Sequence, residues 1–136
     1  MTLPWHCQVT LCCDQISLAG RLTQELPACY DLAIQEPAVL AGLTFVQKNG
    51  LVQLQYADLE RTLENGLPNT SVFRLLIHGL EQWQRQTLSL SHGGETERVY
   101  VGNCEGDSYT LTVATDCNRP IRLQSKSGWL IQMKWE

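Results

Sequence analysis

Charge is scarce in this sequence, and none of it is gathered into runs. Charged residues make up 18% of the chain and the formal net charge is −4, so no basic face is expected for a nucleic-acid backbone. Seven of the ten Lys and Arg are Arg, and they are scattered, which leaves no polybasic anchor for a membrane surface. Long apolar runs are missing too: nothing approaches the roughly 18–20 residues that a transmembrane helix needs. The first residues, "MTLPWHCQVTLCCD", lack a basic start, and His6 and Gln8 interrupt their apolar positions, so they do not read as a signal peptide. A cytosolic chain, or one whose leader has been removed, is the expectation. Linkers, low-complexity segments and repeats of fixed period are also lacking. One domain spanning 1–136 is therefore expected, long enough to bury roughly 65–70% of its unfolded surface.

Catalytic and metal-binding patterns are equally thin. No Ser lies in a G-x-S-x-G context, and Gly93-Gly94 is no phosphate loop. His78 and Glu81 share a helix face at a spacing of three, and are read as a solvated polar side. His92 belongs to a turn, and His6 cannot pair with Cys7, because adjacent strand residues point to opposite faces. Asp58, Glu60 and Glu64 fall at even spacing on a short strand and read as a solvated edge rather than a cation site. The six cysteines form no C-x-x-C and have no His at zinc-finger spacing. Buried free thiols are the first reading, with disulfides or a metal as alternatives, and connectivity is not deducible. Cys12 and Cys13 point apart on a strand and are not expected to bridge. No active site, metal or cofactor is expected.

What is abundant is alternation. Cys7, Val9, Leu11 and Cys13 recur at period two, as do Ile16, Leu18, Gly20 and Leu22, then Tyr30, Leu32 and Ile34. Leu43 and Phe45 precede Asn49-Gly50, a strong hairpin signal, and Val52, Leu54 and Tyr56 follow it. A sixth short strand is expected at Leu59 to Leu63, before a turn at Asn65-Gly66 and Pro68. The period then changes: after Asn69, Thr70 or Ser71 as a helix cap, Val72, Phe73, Leu76, Leu80 and Trp83 form one apolar helical stripe. The opposite side carries Arg74, His78, Glu81, Gln82 and Arg85 and is expected to face water, while Gly79 weakens the helix by about 1 kcal/mol against Ala. Alternation returns with Leu88 and Leu90, Val99 and Val101, Tyr109, Leu111 and Val113, Ile121 and Leu123, and finally Trp129, Ile131, Met133 and Trp135.

Connections this short require largely antiparallel neighbours. The expected fold is mainly β (α+β): a curled antiparallel meander, or incomplete barrel, of about eleven strands with a helical lid inserted after the sixth.

That order resembles the LolA/LolB-like lipoprotein carriers, and in particular their compact extracytoplasmic relatives in Gram-positive bacteria. The resemblance rests on "EPAVLAGLTF" (Glu36 to Phe45), "GLVQLQYADLERTL" (Gly50 to Leu63), "LPNTSVFRLLIHGLEQW" (Leu67 to Trp83) and the closing "GWLIQMKW". It covers nearly the whole chain as spacing and pattern rather than as an invariant motif. It implies an incomplete barrel whose concave apolar face is covered by helix, and a non-enzymatic module that shelters an acyl chain or another apolar group. It also implies an extracytoplasmic location, as a membrane-anchored lipoprotein in some relatives, with the leader absent from this chain; a cytoplasmic protein is the alternative. The regularly placed Arg expected of carriers that hand lipoproteins between partners is not seen.

The candidate apolar groove consists of Phe45, Leu54, Tyr56, Phe73, Leu76, Leu80, Trp83, Ile131 and Met133. These residues, with Trp129 and Trp135, build either a solid core or the wall of a pocket. The partner is accordingly a lipid acyl chain or similar apolar ligand, or else a partner protein bound by a regulatory domain with a closed core.

Overall fold

The computed structural model describes residues 2–56, 59–63 and 71–136. The expected turn at 65–68, the helix cap at 69–70, and the side chains of Asp58, Glu60 and Glu64 lie outside what is described. Eleven strands form a single antiparallel sheet. The first six are β1 (Trp5–Cys13), β2 (Ile16–Leu26), β3 (Cys29–Glu36), β4 (Leu43–Lys48), β5 (Leu51–Tyr56) and β6 (Leu59–Leu63). Helix α1 (Ser71–Gln84) follows, then β7 (Ser89–Gly93), β8 (Glu97–Cys104), β9 (Asp107–Ala114), β10 (Arg119–Ser125) and β11 (Leu130–Trp135).

The spatial order is β6-β5-β4-β3-β2-β1-β11-β10-β9-β8-β7. Each half is a plain meander, and the halves are joined where the first strand pairs with the last, Val9 opposite Met133 and Leu11 opposite Ile131. The free edges are β6 and β7, the two strands that flank the helix in the chain. Short turns hold the meander together. Asn49 and Gly50 both take positive φ, at 52° and 83°, the backbone that a tight hairpin demands and that Asn and Gly tolerate best.

Alternation places one face of nearly every strand in a common core: Cys7, Val9, Leu11, Leu22, Leu32, Ile34, Leu111, Val113, Leu123 and Ile131 are all buried. Three strands depart from the expected faces: β7 is exposed along its whole length, Leu90 included, and β8 and β10 turn other residues inward. In β8 it is Tyr100 and Cys104 that pack against the core, whereas Val101 is exposed. Tyr100 stands opposite the buried Leu111, so the register with β9 overrides the apolar preference of Val99 and Val101. In β10 the ladder with β9 skips Ile121, pairing Pro120 with Val113 and Arg122 with Thr112. This bulge turns Pro120 and Leu123 inward and leaves Ile121 half-buried.

Helix α1 lies against the concave face and touches both halves of the sheet. On one side the Phe73 ring stacks on Phe45 of β4 at 5.6 Å, and Gln84 donates to the buried Gln24 of β2, whose side-chain oxygen also accepts from Trp5. On the other, Arg74 pairs with Glu105 at 3.6 Å and His78 meets the Tyr109 hydroxyl at 2.9 Å. Gly79 explains the close approach: a methyl group there would lie 2.6 Å from Leu123 Cδ1. Gly102 of β8 makes the matching space, since a Cβ on it would overlap the Tyr109 ring.

The polar side of the helix is thus not uniformly in water. His78 is half-buried and hydrogen-bonded, contrary to the solvated reading, because the sheet curls far enough to enclose the helix flank as well as its apolar stripe. Burial, opposed by the nearby Glu81 and Glu105 carboxylates, lowers the His78 pKa, while burial pushes Tyr109 up to about 12. Both shifts favour the neutral pair, joined by the hydrogen bond between His78 Nδ1 and the Tyr109 hydroxyl.

Two outcomes follow from this packing. Leu76 is fully buried, so Leu76→Ala should lower stability by about 2–5 kcal/mol through transfer loss and cavity formation, read from urea unfolding. For His78, the unfolded chain binds a proton at the ordinary value near 6.5 and the folded chain only at lower pH. Stability should therefore be intact above that value and decline as pH falls through the interval down to the depressed folded value. The difference between wild type and His78→Gln in urea midpoint from pH 8 to pH 5 checks the sign.

Candidate functional site

The residues expected to form an apolar groove do converge on the helix–sheet interface. Phe73, Leu76, Leu80 and Ile131 are each 0% exposed, and Phe45 and Met133 are 7% and 5% exposed. Leu54 and Trp83 are partly buried and pack against the same cluster, and the side chain of Tyr56 lies outside the described residues. Zero exposure has a geometric consequence: a residue lining a void large enough for water would present surface to it. No such void touches Phe73, Leu76, Leu80 or Ile131.

Open space occurs instead at the C-terminal end of α1. There a cleft of about 600 Å3 is lined by Trp83, Gln84, Gln86, Leu88, Arg98, Tyr100, Cys117, Asn118 and Arg119. Its volume falls within the range of small-molecule sites, about 300–1,000 Å3. Among the described side chains of the nine residues expected to form the groove, Trp83 alone reaches it. Trp83, Leu88 and Tyr100 also pack against the main core, so the apolar wall of the cleft continues the interior.

Three separated segments assemble this site. The first is the end of the helix, closed by backbone bonds from Gln86 N–H to the Trp83 carbonyl and from Thr87 N–H to the Gln82 carbonyl, with Gln86 at φ 58°. This is a Schellman-type terminus, a position that usually selects Gly; here it carries a side chain on the cleft. The closing bonds satisfy carbonyls that would otherwise present negative charge to the site. The second and third segments are the start of β8 and the β9–β10 turn. Arg98 and Pro120 are both paired with Val113 of β9, from opposite sides, and Arg119 is paired with the adjacent Ala114.

Two arginines line the cleft from these strands. Arg98 donates through Nη2 to Asn118 Oδ1, while its Nε–H is buried without a partner, the one side-chain polar atom in that state among the described residues. A buried donor left without an acceptor is destabilising by about 1–3 kcal/mol. Arg119 stacks over the Trp135 ring at 5.3 Å, which holds the guanidinium plane and leaves its edge for hydrogen bonding. Arg21, Arg74 and Arg122 each have a carboxylate within 4 Å. Arg98 and Arg119, like the exposed Arg85 near the end of α1, have no such partner among the described residues.

The residues that line this cleft were not identifiable individually from sequence. "TDCNRP" carries a turn signature and nothing more, Arg98 follows one Glu among many scattered charges, and only register brings them to the helix end. The remaining chemistry is spare. All six cysteines are free, Cys7 is buried and its thiol pushed up to about 12 by burial and then by Glu136, and Cys117 is exposed at the cleft. No group of three or more potential metal ligands occurs among the described residues, and no described helix is long and apolar enough to cross a membrane.

No protein-family model matches the sequence, and no curated protein matches it. Among solved structures, the fold is similar to that of an uncharacterized conserved protein from Thermus thermophilus, with a TM-score of 0.60 and 14% identity over 98% of this chain and 78% of that one. A LolA superfamily protein from Nitrosomonas europaea is a more distant structural neighbour, with a TM-score of 0.46 and 11% identity over 98% of this chain and 83% of that one. The first of these likenesses establishes the architecture: a mainly β chain in which one unclosed antiparallel sheet is covered by a single described helix.

Proposed function

We propose that the protein is a non-enzymatic binding module for a ligand with an apolar group, such as an acyl chain, taken up beside the C-terminal end of α1. The observation that carries this reading is the cleft of about 600 Å3 whose wall of Trp83, Leu88 and Tyr100 runs on into the core. Each of these side chains would bury apolar area against a ligand at about 25 cal/mol per Å2. The described lining brings together amides, guanidinium groups, aromatic rings and the exposed Cys117 thiol. Of the residues expected to form the groove, Trp83 would contact the ligand, while Phe45, Phe73, Leu76, Leu80, Ile131 and Met133 hold the helix and fix the cleft's back wall. An extracytoplasmic setting, in which such a module would meet membrane lipids, remains part of the proposal.

A second reading has its own support. The interior is closed around the helix, and the edge strand β7 is exposed along its whole length, with Leu90 57% exposed. A free edge of this kind can take up an extended segment of a partner protein, which would make the chain an interaction module with an ordinary core.

Titration with N-phenyl-1-naphthylamine, a neutral apolar fluorophore, separates the two. Binding at the cleft should saturate at one site per chain, and Trp83→Ala should weaken it roughly fivefold or more, the equivalent of about 1 kcal/mol. No saturation by about 1 mM, a binding free energy weaker than about −4 kcal/mol, would remove the ligand reading and leave the interaction module.

A further inference from the structure

We infer that the cleft is selective for anionic ligands, and that Arg98 and Arg119 read a carboxylate or phosphate oxygen group. This rests on the cleft being the ligand site and adds the chemistry of the ligand's other half. Three observations point the same way. The chain carries a formal charge of −4, yet the two cleft arginines have no carboxylate within 4 Å among the described residues, whereas Arg21, Arg74 and Arg122 do. In a protein with more acidic than basic groups, two uncompensated guanidinium groups lining one concavity form a local positive field aimed at a ligand. The described lining carries no acidic side chain to cancel it; of the two carboxylates adjacent in sequence to lining residues, Glu97 is paired with Arg122 and Asp116 accepts from the Cys117 N–H.

The second observation is the orphaned donor. Arg98 Nε–H is buried and has no acceptor, although the same guanidinium is held by Asn118. That Nε is closed to solvent, so an anionic oxygen in the cleft satisfies it only if the guanidinium turns toward the opening. The third is preorganisation. Arg119 is stacked on Trp135, so its planar fork is already oriented and loses little freedom on pairing with an oxyanion. Gln84, Gln86 and Asn118 add amide donors around the same space. The apolar wall of Trp83, Leu88 and Tyr100 stands beside these donors. The combination fits an amphiphile with one anionic head, and carboxylate and phosphate heads share the chemistry required.

The test compares ligands of equal chain length by isothermal titration: dodecanoate, dodecyl phosphate and dodecanol, all below their aggregation limits. Hydrogen bonds to charged groups predict that an anionic head tightens binding about tenfold to a hundredfold over the alcohol. The advantage should shrink as salt is raised. Preference for dodecanoate or for the phosphate identifies the head group. Arg98→Met and Arg119→Gln should each remove most of the advantage, taken for each variant as the ratio of its anionic-ligand to its own dodecanol affinity, and Arg21→Gln, remote and paired with Glu136, should leave that ratio unchanged. Equal affinity of acid and alcohol for wild type, or an advantage that survives both cleft substitutions, would overturn the inference. The head-group comparison and its salt dependence are read on wild type, so they hold whether or not a variant folds. Dodecanol binding without head-group preference sinks the anion assignment but keeps the apolar site. Acetate or inorganic phosphate protecting the fold while dodecanol fails to bind keeps the anion site and sinks the apolar one.

Discussion

A curled antiparallel sheet with two free edges cannot bury its concave face unaided, and in this chain a helix of 14 residues covers it. Most inward positions of the strands are apolar because of that arrangement, with Gln24 a buried polar exception, and the helix is apolar on the side it turns to them. Hydrophobic burial drives the docking, but it does not set the position. That is done by close contacts: Gly79 against Leu123, Gly102 leaving room for the Tyr109 ring, and the Phe73–Phe45 stack at the helix's other end. Interiors packed this tightly respond to a change of one methylene.

The helix is gripped from both sides, and its polar groups take part. Gln84 reaches Gln24 on one half of the sheet, and His78 reaches Tyr109 on the other. These bonds tie together two meanders that are joined directly at the β1–β11 ladder. Where the helix ends, the cover ends, and the core wall of Trp83, Leu88 and Tyr100 meets open space. The cleft is therefore a direct product of a helix too short to cover the full width of the face. Its polar side carries an orphaned Arg98 donor that the fold does not need.

Much of the architecture was legible in the sequence. Period-two alternation located the strands, Asn49-Gly50 marked its hairpin, and the stripe from Val72 to Trp83 marked the one described helix. Such signals are local, since a strand or helix writes its burial into consecutive residues. What stayed hidden is set by register and by tertiary enclosure. Nothing near Ile121 announces the bulge that turns Pro120 inward. His78 looks like any solvated helix residue until the sheet wraps around it. The cleft draws on segments near 86, 98 and 118 whose residues are unremarkable apart, and strand pairing alone brings them together.

Native-state hydrogen exchange tests most directly whether the helix is an integral part of the core with its cleft at the end, rather than a lid that lifts from the sheet. The amides of Leu76 to Leu80 should exchange only through global unfolding, with protection within roughly 1 kcal/mol of the β1 and β11 amides. Helix amides that open far more easily than the central strands, by a separate low-energy step, would contradict this account and place ligand uptake beneath the helix.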